Sequence, residues 1–180
     1  MIKRFKIKAQ SLGFTLIELM VVISIIGLLA GGGTAGFIKF KEREVLRSAG
    51  EQIVTYLRLA QSKSLAGEKG SVCQPEQTLD GWCIDLYRKK MYGHCGGTTP
   101  ESKNFSFQDL EIPQGVTLTF YPPGSASQDI NHALLRFLPG PYAGVDKAAI
   151  ICLSGFGRKY KIEVATTGMI TSHGFVNHCP

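Results

Sequence analysis

The sequence predicts an α+β fold: a long N-terminal helix, first apolar and then amphipathic, packed on a β-rich globular head. Three observations predict it. From Phe14 to Ile38 runs FTLIELMVVISIIGLLAGGGTAGFI, 25 residues with a single charge, Glu18. No proline precedes Pro75, so helix can continue beyond that run. After Gly70 the pattern changes to short β-type runs separated by Gly and Pro.

The 180 residues suit one domain with an appendage, and 44% apolar content supports a packed core. The net charge of +6 is unevenly placed. Residues 1–13 carry Lys3, Arg4, Lys6 and Lys8 without an acid, residues 14–66 carry +2, and residues 67–180 are neutral. A strongly basic nucleic-acid-binding domain is thereby excluded.

Taken in order, residues 1–13 read as a basic leader and 14–38 as a transmembrane segment, since about 20 apolar residues span a bilayer core as helix. The cations before it predict a cytoplasmic N-terminus and an exported C-terminus. A cleaved secretory signal fits less well, because Leu28-Leu29-Ala30 is a poor cleavage site and the apolar run continues past it. A plain anchor leaves Glu18 unexplained, at about 2.5–3.5 kcal/mol for a mid-membrane carboxylate.

Residues 39–66 continue the helix. Leu46, Ala49, Ile53, Tyr56 with Leu57, and Ala60 form a stripe at three-four spacing. Gly67 or Gly70 offers a C-cap. Helix from about 15 to 66 would measure roughly 78 Å, a length suited to a filament subunit. Residues 67–180 form the head. Strands are expected at 71–74, 82–88, 115–121, 132–138, 148–153, 159–165 and 169–172, with loops at 93–103, 122–129 and 139–146.

All five cysteines (Cys73, Cys83, Cys95, Cys152, Cys179) lie on the exported side, where disulfides form and persist. At most two bridges form and one thiol is left over, in any of fifteen patterns. No Cys-x-x-Cys occurs, so zinc-ribbon and thioredoxin-like chemistry lack their motif. His94, Cys95, His173, His178 and Cys179 lack compact metal spacing, and disulfides account for the thiols better. Ser154 stands outside a Gly-x-Ser-x-Gly elbow, so no catalytic constellation or cofactor is expected.

Residues 11–19, Ser-Leu-Gly-Phe-Thr-Leu-Ile-Glu-Leu, resemble the processing site of type IV prepilins and type II secretion pseudopilins. The resemblance implies cleavage after Gly13 by a prepilin peptidase that also N-methylates Phe14. It implies that Glu18 meets the terminal amine of a neighbouring subunit during assembly. The implied partners are the peptidase/N-methyltransferase, other pilins or pseudopilins, the inner-membrane assembly platform and membrane lipid. The implied location is a single pass of the inner membrane with an exported head, then a pilus or pseudopilus. Absence of proline from the apolar segment favours a minor pilin or a pseudopilin, and Gly31-Gly32-Gly33 with Gly36 opens local unwinding in a filament.

The head is similar, more loosely, to the GspH/FimT pattern, through Val72-Cys73, Gly81-Trp82, the run Leu135-Arg136-Phe137-Leu138-Pro139-Gly140, and Ile162-Glu163-Val164 before Gly168-Met169-Ile170. Basic residues of some such heads touch DNA, which makes Arg158, Lys159 and Lys161 candidate phosphate contacts. A solvated hairpin turn is the plainer reading of that cluster. The rival to a filament subunit is a membrane-anchored DNA-binding or adhesive module that never polymerises.

Overall fold

The computed structural model describes residues 13–96, 103–122, 133–140 and 144–180, without the side chains of 30–35. Among the described residues one helix, α1 (Leu16–Leu65), precedes eight strands. These are β1 (Leu79–Asp85), β2 (Lys90–Cys95), β3 (Lys103–Asp109), β4 (Thr117–Tyr121), β5 (Leu134–Phe137), β6 (Ala149–Gly155), β7 (Arg158–Val164) and β8 (Ile170–Val176). The chain divides into two compact units between Phe40 and Lys41.

In the first unit, the large apolar side chains from Phe14 to Leu29 all face outward, from 44% exposed at Val22 to 81% at Phe14. Among the described residues no helix is long and apolar enough to cross a membrane. The expected apolar run includes residues 30–35, whose side chains lie outside the description, as does the expected leader up to residue 12.

The second unit holds the core. Its strands form two antiparallel four-stranded sheets, ordered β3-β2-β1-β5 and β4-β6-β7-β8. The anticipated helical stripe is the buried one: Leu46, Ala49, Ile53, Leu57 and Ala60 are at most 2% exposed, with Tyr56 half-buried beside them. They join Trp82, Ile84, Leu135 and Phe137 of the first sheet and Ile151, Leu153, Ile162 and Val164 of the second in one cluster.

Gly50 lets helix and sheet approach. A Cβ there would stand 2.4–2.9 Å from three atoms of the Tyr160 ring. Tyr160 is itself buried, and its hydroxyl shares a 2.7 Å hydrogen bond with Ser172. Farther along the helix, Gln61 Nε2 donates to the Gly168 carbonyl at 3.0 Å. Ser64 Oγ donates to the Phe137 carbonyl at 2.6 Å, which satisfies the one polar side chain that is fully buried among the described residues. The helix stops in a Schellman motif. Gly67, at φ 65°, donates to the Ser64 carbonyl and Glu68 to the Lys63 carbonyl, both at 3.0 Å. Trp82 Nε1 then donates to the Glu68 carbonyl at 3.1 Å, with Lys63 over the indole ring.

Several strand expectations are corrected. Residues 71–74 form turns, because the Cys73 amide bonds the Gly70 carbonyl and Gln74 bonds the Gln77 side chain. The stretch expected as a loop at 93–103 contributes the end of β2 and the start of β3, a pair linked antiparallel at the sheet edge. The expected strand 82–88 begins earlier and ends at Asp85, where the Asp85 carboxylate accepts the Arg88 amide and a turn starts. The strand at 169–172 extends to Val176 through a bulge opposite Lys161 and Ile162. Residues 123–132, most of one expected loop, lie outside the description.

The Gly50 contact yields a signed expectation. Alanine would add about 1 kcal/mol of helix propensity, but overpacking a buried, hydrogen-bonded ring opposes it by about 1–3 kcal/mol. Gly50→Ala should therefore lower the denaturation midpoint, with a net loss of stability of up to about 2 kcal/mol. Urea unfolding that gives an unchanged or higher midpoint would show that the ring gives way freely.

Candidate functional site

At the N-terminus the helix begins on a polar residue in an otherwise apolar stretch. Thr15 is the cap: its Oγ1 accepts the Glu18 amide at 3.3 Å, and its carbonyl accepts the Leu19 amide at 3.2 Å. Thr-x-x-Glu is a capping-box spacing, a signal the sequence reading passed over. Glu18 thus falls in the first turn of α1, exposed, where a carboxylate complements the helix dipole. Ser24 Oγ donates to the Met20 carbonyl at 2.7 Å, which keeps that hydroxyl satisfied among apolar neighbours. Gly13 and Phe14 precede the cap and are exposed.

The candidate cations of the head part company. β6 and β7 are joined by the two-residue turn Phe156-Gly157, at φ 54° and 71°, the signature of a type I′ hairpin. Arg158 and Lys159 follow it and line a cleft of about 560 Å³ with Phe156, Phe175 and His178. The Arg158 guanidinium lies 6.0 Å from the Phe175 ring centre, and Arg43 of α1 lies 5.1 Å from the same ring. Lys161 lines a different stretch of surface. It pairs with Glu163 at 3.7 Å, and Glu163 also accepts His173 at 3.0 Å. On the helix, Arg47 pairs with Glu51 at 2.9 Å, which raises the guanidinium's pKa further.

The cysteines resolve into two bridges. Cys73 joins Cys95, and Cys152 joins Cys179, with Cα–Cα distances of 6.1 and 6.3 Å. The first ties the turns after α1 to the end of β2; the second ties the C-terminal segment to β6. Cys95 and Cys179 therefore have no thiolate to offer a metal, and His94 is held instead by Asp80 at 2.9 Å. Among the described residues no three His, Cys, Asp or Glu side chains converge as metal ligands.

Cys83 remains a free thiol, 1% exposed on β1 between Tyr92 of β2 and Arg136 of β5. Burial pushes the thiol up to about 11, against the opposing pull of the Arg136 charge. Burial likewise raises the Tyr92 hydroxyl, with Cys83 adding to it.

An outward-facing apolar helical stretch with a carboxylate in its first turn, followed by a β-rich unit pinned by disulfides, is an arrangement consistent with the pilin fold. The prokaryotic N-terminal methylation motif matches residues 8–34 and supports placing the chain in the type IV prepilin and pseudopilin superfamily. No curated protein and no solved structure matches the chain.

The thiols make a two-part prediction. Non-reducing peptide mapping of exported protein should find Cys73–Cys95 and Cys152–Cys179, with Cys83 alkylated only after unfolding; five free thiols would refute it. The neutral form of Cys83 is favoured by the fold, so its contribution to stability is present in full below pH 9 and is lost as pH rises through about 11. Cys83→Ala should consequently flatten the alkaline fall in the unfolding midpoint.

Proposed function

We propose that this chain is a minor, GspH/FimT-like subunit of a type IV pilus or of a secretion or competence pseudopilus. Prepilin peptidase cuts it after Gly13 and methylates Phe14, and the subunit assembles through the apolar helix. The observation that carries this reading is the methylation motif at residues 8–34, with Glu18 set in the first turn of α1. Proteins of this motif are structural, and the chain acts as a substrate of the peptidase and as building material.

The physics is that of charge burial. Cleavage leaves an ammonium on Phe14 among apolar side chains, and N-methylation retains its charge. A carboxylate from an adjacent subunit offsets that burial and fixes the stagger between subunits. The apolar surface from Phe14 to Leu29, uncovered in the single chain, supplies the remaining contact area, first to lipid and then to neighbouring helices.

Two variants separate processing from assembly. Gly13→Val should block the cut, so that intact mass shows residue Met1 retained, whereas the parent loses thirteen residues and gains one methyl group. A native N-terminus at Met1 in peptidase-positive cells would end the reading. Glu18→Gln should be cut normally yet drop out of sheared filaments. An unpaired buried charge costs about 3–5 kcal/mol, or roughly 100- to 4,000-fold in an assembly equilibrium. Wild-type incorporation of the Gln variant would rule out the pairing account.

A further inference from the structure

The second unit has one end built unlike the rest. Three contacts give the direction of α1 on the sheet: Arg43 with Phe175, Gly50 with Tyr160, and Gln61 with Gly168. The helix therefore runs the same way as β7, from the Phe156-Gly157 turn toward the β7–β8 turn. The Phe156 turn thus lies at the end of the sheet where the chain enters the unit, shortly after the apolar segment.

That end carries an exposed aromatic tip and a cleft lined by cations. Phe156 is 40% exposed although its positive φ is an expensive conformation for an aromatic residue. Gly115 leaves room beside it, since a Cβ there would meet the Phe156 ring at 3.1 Å. Arg158 and Lys159 follow the turn, and among the described residues no carboxylate lines their cleft. Arg43 shares the Phe175 ring with Arg158, and in the chain it follows Lys41 and stands between Glu42 and Glu44.

The geometry points to this end of the head as a docking surface for a membrane bearing anionic phospholipid headgroups. Arg43, Arg158 and Lys159 meet the phosphates, and Phe156 enters the interfacial layer. The inference rests on the anchored-subunit reading and extends it from the apolar helix to the head. A bilayer fits this chemistry better than a nucleic acid does. An exposed aromatic tip flanked by cations is an interfacial anchor, while the Phe175 ring, which could have stacked a base, already carries two guanidiniums and the Tyr160 edge at 5.7 Å. The surface would hold the head against the bilayer until the subunit is drawn into a filament.

Hydrogen exchange on the full chain in nanodiscs tests this, comparing phosphatidylcholine alone with phosphatidylcholine plus phosphatidylglycerol. Peptides covering 154–159 and 174–178 should exchange several-fold more slowly with the anionic lipid, and high salt should remove the difference. Arg158→Glu should abolish it. Phe156→Asn, whose side chain tolerates positive φ, should keep the hairpin folded and still lose most of the protection. Equal exchange in the two lipids, or an unaffected Arg158→Glu protein, overturns the inference. So does stronger protection of the same peptides by a single-stranded oligonucleotide in neutral nanodiscs. Residues 14–29 serve as the control. If they are protected in both lipids while the head is indifferent, this surface alone is wrong; if they are unprotected in both, the anchored reading fails with it.

Discussion

The close approach of α1 to the Tyr160 ring at Gly50 is the contact on which the rest of the second unit depends. It brings a helix backbone against a strand side chain, so that Ala49, Ile53 and Leu57 reach the core cluster shared with the sheets. It also sets the direction of the helix along β7, and hence which end of the sheet receives the incoming chain. The polar bonds of Gln61 and Ser64 to strand carbonyls then lock the register at the far end. A larger residue at position 50 would push all of these apart together, since interiors transmit displacement instead of absorbing it.

The elements legible in the sequence were those with a long period or a covalent signature. The three-four stripe from Leu46 to Ala60 identified the buried face because a helix repeats its pattern over many turns. The N-terminal motif was legible because Gly13, Phe14 and Glu18 stand at fixed offsets before an unbroken apolar run. β2 and β3 were not legible. KMYGHC contains a glycine and a histidine, and KNFSFQD buries only Phe105, as an edge strand can. Their pairing is decided by the partner strand, which no local window contains. Val72 and Cys73 misled in the opposite direction, since β-type residues there serve a turn and a bridge.

The cation cluster illustrates the same limit at the level of a site. Arg158, Lys159 and Lys161 are neighbours in sequence, yet their surroundings differ: Lys161 is paired with Glu163 two residues along the same strand, and the other two share a cleft. Arg43, more than a hundred residues away, lies over the Phe175 ring that borders that cleft. Only the fold brings it there.

Burial of Cys83 also bears on the order of events during export. Five thiols allow fifteen two-bridge patterns, but four allow only three. β1 packs its thiol beside Tyr92 through a hairpin whose strands are adjacent in the chain, the kind of contact that forms early, and β5 with Arg136 then closes the other side. A chain that closes this hairpin and adds β5 before meeting an oxidant withdraws Cys83 from exchange, both by enclosure and by keeping it protonated. The search for the native bridges then shrinks fivefold before any of them is made. The unpaired cysteine, a liability by count, is silenced by the strand that carries it.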